Sequence, residues 1–274
     1  MLRRRRRAVA LAVGALVLAL AGCGGSASGS GRPGGGSERA ESPPGAELAG
    51  RWAHYDIVAY ENPLMKTMII SYGFTDFSVE DGQLIESEQF CHADQVSDLP
   101  IRTVMADAAT QAIRPASTPV EVSGPLGARR IRRPATPTPI GIRLDDPANE
   151  PLPSDPDDPR VVDDDGDGKP GVTVVVHFGE GDTGELYLAR REIFAYDLTQ
   201  DGPDSITGEV TDHSEQLLIG ASTDLLRAVD ARWEQVPDRS RSPILLKRVG
   251  AEWDCARLMA ERDVLFPPDP PIRW

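Results

Sequence analysis

From residue 50 onward the chain alternates apolar and polar positions over most of its length. Ala53, Tyr55, Ile57 and Ala59 share one face of an expected strand over 52–60, and Met68, Ile70, Tyr72 and Phe74 share one face of the next. Asp81-Gly82 lies between Phe77-Ser78-Val79 and Leu84-Ile85, a strong hairpin signal, so residues 67–91 are expected to form a hairpin ending at Cys91. Ile101, Val104, Met105, Ala108, Ala112 and Ile113 recur at helical spacing behind Asp98 and Pro100, which predicts a short helix near 99–113. Strands are expected again over 172–178, 185–198, 206–211, 216–221, 232–236 and 243–249, with one helical turn in 224–230 and a hairpin tip at Asp212-His213-Ser214. A helix near 251–265 places Cys255, Leu258 and Met259 on one face, toward the sheet. The fold class is therefore mainly β: an antiparallel meander that becomes barrel-like by closing its edges.

The pattern weakens in two places. Residues 115–170 are rich in Pro and Asp and read as an insertion, mostly loop, with room for short strands near 120–122 and 139–144 and an extended, solvated stretch over 145–158. The first 49 residues show no strand or helix pattern of a folded domain. Arg3 to Arg7 form a positive cluster and Ala8 to Leu20 an apolar run too short to span a bilayer, so residues 1–22 read as an export signal. The run ends in Leu20-Ala21-Gly22-Cys23, which resembles the lipobox of bacterial lipoproteins. That resemblance implies lipid on Cys23, a membrane anchor there, and a place in the cell envelope facing the periplasm or the exterior. Residues 23–49, dominated by Gly, Ser and Pro, bury too little apolar surface to fold and are expected to be a flexible tether. A single β-rich domain then occupies 50–274.

Charge narrows the partners. The chain carries 29 basic and 43 acidic side chains, a net −14, and is more acidic once the n-region arginines are removed. Nucleic acid and anionic lipid headgroups would be repelled. Beyond Cys23 only Cys91 and Cys255 remain, and in an exported chain they are expected to pair. The bridge would close a loop of more than 160 residues, worth about 4 to 5 kcal/mol on the chain-entropy account.

The most distinctive motif is Asp163-Asp164-Asp165-Gly166-Asp167-Gly168-Lys169. Carboxylates at alternate positions closed by a glycine can surround one hard cation. The segment resembles the Asp-x-Asp-x-Asp-Gly calcium loops of EF-hand, dockerin and integrin-type families. The resemblance implies Asp163, Asp165, Asp167 and the Lys169 carbonyl as calcium ligands. Gly171 and Val174 stand where those families often place acids, so a bound ion would need further ligands. Asp155, Asp157 and Asp158 are nearest in sequence. The expected role is structural, holding a long loop to the sheet.

Catalytic motifs are missing. No nucleophile elbow, phosphate-binding glycine loop or dinucleotide fingerprint occurs, and His54, His92, His177 and His213 show no metal-ligand spacing. Trp52, Trp233, Trp253 and Trp274, with the five tyrosines, either fill a core or line a cavity, the core being favoured. Gly50-Arg51-Trp52 on the first strand, the meander, the late helix and the strand-to-C-terminal-segment disulfide together resemble the lipocalin/calycin plan. This implies a ring with an interior cavity. The function expected is a non-enzymatic, lipid-tethered envelope protein whose β-rich domain binds an apolar small molecule or an envelope protein. The alternatives are a structural or assembly module without a cavity and a calcium-dependent carbohydrate-active protein.

Overall fold

A computed structural model describes residues 42–63, 65–179, 181–228 and 232–273. The export signal, Cys23, the tether as far as residue 41, and Trp274 lie outside the described residues.

The strands are β1 (Gly50–Glu61), β2 (Lys66–Glu80), β3 (Gln83–Ser97), β4 (Ile101–Met105), β5 (Thr118–Pro119), β6 (Glu121–Ser123), β7 (Arg130–Ile140), β8 (Val172–Phe178), β9 (Asp182–Gly202), β10 (Ser205–Asp212), β11 (Glu215–Ala221), β12 (Glu234–Gln235) and β13 (Pro243–Arg248). The helices are α1 (Asp107–Ala112), α2 (Asp224–Arg227) and α3 (Cys255–Leu265). All form one antiparallel sheet, and eight strands close it into a ring: β1, β2, β3, β4, β8, β9, β10 and β13, which returns to β1. Closure leaves those strands with partners on both edges, removing the unpaired donors and acceptors of an open sheet. The helices are short, and none among the described residues is long and apolar enough to cross a membrane.

β1 is buried along almost its whole length because both of its faces are covered. Trp52, Val58 and Tyr60 join Phe77, Phe194, Val210 and Leu246, residues drawn from around the ring and therefore facing its interior. Ala53, Tyr55, Ile57 and Ala59 share the other cluster with Leu258 and Phe266, so this face lies outside the ring beneath α3. Asp254 caps α3 by accepting from the Arg257 N–H, which fixes its start.

The hairpin forms as its turn chemistry requires. Asp81 and Gly82 both have positive φ, 49° and 78°, the conformation of a tight two-residue connection. β3 runs past Cys91 to Ser97, with a register shift where Tyr72 pairs with His92 and Gly73 with Phe90. Cys91 is the extra residue of that bulge. A bulge re-aims side chains, and here Cys91 faces the α3 side and is bonded to Cys255, with Cα atoms 5.2 Å apart.

Local pattern and structure part in four places. The helix expected near 99–113 is confined to 107–112, because β-branched Ile101, Thr103 and Val104 belong to β4 and pair with β8. The region 115–170 contributes β5, β6 and the eleven-residue β7, which pairs with β9 despite three prolines. Pro137 and Pro139 stand two residues apart, so both missing donors fall on one edge and the donors of 136, 138 and 140 remain for β9. Pro134 sits in the register shift between Arg133 and Thr136. Residues 145–158 are largely solvated, as expected, but they turn rather than run extended, and Ile142, Leu144, Leu152 and Val161 anchor the segment against Ala189, Ile219 and Tyr187. Asp212-His213-Ser214 is a break rather than a hairpin tip, since β10 and β11 pair with successive stretches of β9.

Candidate functional site

The ring interior is built in layers. At the end bearing the Asp81-Gly82 turn, Trp52, Phe77, Leu84, Leu198, Ile206 and Leu246 pack together in one buried cluster. Above them lies a layer of buried charge, and above that a cavity of about 740 Å3 reaches the end where the β1–β2, β3–β4 and β8–β9 connections lie. Its walls are mostly apolar, formed by residues such as Ile69, Phe90, Met105, Val174, Val176 and Leu188. They sit at alternate positions of their strands, which is why successive side chains of β8 and β9 present one continuous apolar surface.

Four polar side chains meet on that wall: Tyr60 of β1, Arg190 and Glu192 of β9, and Asp212 at the end of β10. Tyr60 donates its hydroxyl to Asp212 Oδ2 at 2.7 Å, and the Ser214 N–H donates to Oδ1 at 2.7 Å. Arg190 donates Nε to Glu192 Oε1 at 3.3 Å and Nη1 to Gln216 Oε1 at 2.8 Å. Its Nη2 has no hydrogen-bond partner among the described residues. Arg190 and Glu192 keep only 14% and 15% of their side-chain surface accessible, on residues that line the cavity. Burial pushes the Glu192 carboxyl up to about 7; Arg190 opposes the rise, while Asp212 and Asp56 add to it. Burial and the Asp212 carboxylate hold the Tyr60 hydroxyl well above its ordinary range.

Beneath the cavity floor, His54, Asp56, Glu86, Glu88 and Arg133 are almost completely enclosed. His54 Nε2 lies 2.8 Å from Asp56 Oδ1, and its Nδ1 lies 2.9 Å from the Thr75 hydroxyl. Glu88 accepts from Tyr196 at 2.8 Å and from Arg133 Nη2 at 2.9 Å. Arg133 also donates Nη1 to the Phe194 carbonyl at 2.8 Å. Glu86 Oε1 is 3.2 Å from Arg133 Nε, but neither Glu86 oxygen receives a hydrogen bond. Burial and the neighbouring Glu88 push Glu86 up to about 8, against the pull of Arg133. Burial likewise raises Asp56.

The acidic loop forms the second candidate site. Oxygen atoms of Asp163, Asp165 and Asp167 lie within 4.8 Å of one another. Asp163 accepts N–H bonds from Gly166, Asp167 and Gly168 at 2.7 to 3.1 Å, which lower its pKa, the Gly168 bond most. Asp165 Oδ2 accepts the Thr173 N–H at 2.9 Å, whereas Oδ1 is buried without a partner, and burial raises this carboxyl. Lys169 sends its ammonium to Glu185 at 2.6 Å and lies 3.6 Å from Asp167. The supplementary acids expected from sequence do not join this cluster: Asp155 accepts the Asp157 N–H, and Asp158 pairs with Arg160. Asp164 instead holds Arg143 and the Gly141 N–H, tying the loop to the end of β7.

The tryptophans and tyrosines divide. Trp52, Tyr55, Tyr72 and Tyr196 pack in the core, while Tyr60 and Trp233 line the cavity. Sequence reasoning missed Tyr60, Arg190, Glu192 and Asp212 as a group. One signal pointed to them: Arg190 and Glu192 occupy the inward phase of β9, between Leu188 and Phe194, where a surface charge has no place.

No protein family, no curated protein and no solved structure matched this chain.

Proposed function

We propose that this chain is a non-enzymatic binding protein that holds a small apolar or amphipathic molecule inside its ring, carried in the cell envelope by a lipid on Cys23. The observation that carries the reading is the cavity of about 740 Å3, walled by apolar side chains and closed below by buried charge. Its volume falls within the range that encloses drug-sized ligands, roughly 300 to 1,000 Å3. The apolar wall favours an apolar ligand over a sugar, which needs hydrogen-bonding groups on most sides. Glu192 and Asp212 share the cavity, but Asp212 is engaged by Tyr60 and Ser214, which weakens the carbohydrate-active alternative. An assembly module has no use for such a volume.

Calcium enters this reading as a structural ion. The donor set fits it: three hard oxygen donors in close approach, with the partnerless Asp165 Oδ1 in want of a positive charge. Asp163, Asp165 and Asp167 would hold it, with the Lys169 carbonyl as the fourth protein ligand. Their mutual repulsion would be relieved, and the 142–171 segment fastened to the sheet.

The reading is tested by native mass spectrometry of the protein purified from its own membrane. A retained small molecule whose binding is weakened or lost on Val174→Trp, which intrudes into the cavity, is expected. An empty protein that also fails to take up the neutral fluorophore N-phenyl-1-naphthylamine would refute it.

A further inference from the structure

The charges around the cavity say what kind of molecule it takes. Among the described lining residues five are acids, Asp94, Glu192, Asp212, Glu215 and Glu234, against two arginines, Arg190 and Arg232. Asp94 and Glu215 meet cations from outside the lining, His92 and Arg262 for the first and Arg191 for the second, so the imbalance at depth rests on Glu192 and Asp212. Arg190 alone among the four polar wall residues is a cation, and it faces Glu192 directly with Asp212 close by. The acids of the lower layer, Asp56, Glu86 and Glu88, have Arg133 and His54 as their positive partners.

A buried group of two carboxylates and one guanidinium is one positive charge short of neutral. An uncompensated charge in an apolar enclosure costs several kcal/mol. Two species can supply the missing charge: a proton on Glu192, or the head of a ligand. An anionic head could reach the partnerless Nη2 of Arg190 but would double the excess, and a neutral head would leave it unchanged. The surrounding aromatics act in the same direction, since Tyr60, Phe90, Phe194 and Trp233 share the wall with these acids and aromatic faces attract cations. The chain's net charge of −14 draws cations toward the mouth as well.

We infer that the ligand class of this cavity is an amphipathic ammonium compound, its apolar body against the β4, β8 and β9 wall and its cationic head beside Glu192 and Asp212. The inference rests on the cavity reading proposed above. Glu192 is the residue that selects, because Asp212 is already engaged by Tyr60 and Ser214. Burial raises the Glu192 carboxyl, with Arg190 opposing and Asp212 and Asp56 adding to the rise, to about 7, and the Tyr60 hydroxyl, Ser214 and Gln216 are further polar groups at the site. Binding of the cation displaces the Glu192 proton.

The test is displacement of N-phenyl-1-naphthylamine from the full chain by three ligands of equal length: dodecylamine, dodecanol and laurate. Dodecylamine is expected to bind at least tenfold more tightly than dodecanol, with laurate weakest. Glu192→Gln should reduce the amine's advantage over dodecanol at least tenfold. Equal affinity for all three, or laurate strongest, overturns the ammonium assignment and leaves the cavity reading standing. Failure of the fluorophore and all three ligands to bind, with Val174→Trp indistinguishable from the unsubstituted chain, overturns both. The three-ligand series on the unsubstituted chain decides the matter even if Glu192→Gln does not fold.

Discussion

Glu86 offers the sharpest test of the layered interior. It is 1% exposed, lies beside Glu88 and Arg133, and receives no hydrogen bond on either oxygen. Its carboxyl is pushed from an ordinary value near 4.5 up to about 8. Between those limits the unfolded chain has released a proton that the folded chain keeps, so stability falls as pH rises through the window and levels off above about 8. At roughly 1.4 kcal/mol per pH unit, the whole displacement is worth on the order of 5 kcal/mol. Glu86→Gln keeps the shape of the protonated form and has no charge to lose. Urea unfolding at pH 5, 6.5 and 8 should show the variant near the unsubstituted protein at pH 5 and more stable by several kcal/mol at pH 8. The parallel decline from Glu192, whose carboxyl is pushed up to about 7, is common to both proteins and cancels in the comparison. A stability difference that is the same at pH 5 and pH 8, or a variant less stable at pH 8, would refute the claim that Glu86 is held protonated.

Three further outcomes follow from the same structure. Arg133→Met leaves Glu88 without its cation and should destabilise the protein by about 3 to 5 kcal/mol in urea, whereas a change below about 1 kcal/mol would mean the layer is hydrated. Serine at both Cys91 and Cys255 opens a bridge spanning 164 residues and should cost about 2 to 5 kcal/mol, read as a lower melting temperature; an unchanged melting temperature would show that α3 is held by packing alone. Millimolar calcium should raise the melting temperature and Asp165→Ala should abolish that gain, while an unsubstituted chain indifferent to calcium would remove the ion from the acidic loop.

Much of the fold was legible because strands carry a two-residue period that needs no tertiary knowledge. β1, the β2–β3 hairpin, β8 to β11 and β13 follow from alternation and turn residues, and the Cys91–Cys255 bridge from counting thiols. The acidic loop was legible for the same reason, since its three carboxylates are neighbours in sequence before they are neighbours in space. β4 was not legible as a strand because Ile101, Val104 and Met105 fit helical spacing as well as they fit a short strand, and only the partner β8 decides between them. β7 was missed because proline normally forbids a strand, and only an arrangement with its donors needed on one edge permits it.

The cavity and its charges lay beyond any local reading. Alternation tells which residues of a strand share a face, but not whether that face meets solvent, a helix or the interior of a ring. The outward face of β1 is as apolar as the inward one, because α3 covers it. Closure of β9 onto β10 and of β13 onto β1 turned one face of each strand into an enclosed interior. The same closure brought Tyr60, Arg190, Glu192 and Asp212, up to 152 residues apart, onto one wall. Sequence alone determined most of the strands, the bridge and the acidic loop, since each is set by spacing along the chain. The tertiary structure decided the candidate ligand site, because the cost of burying those charges exists only once the ring has excluded water around them.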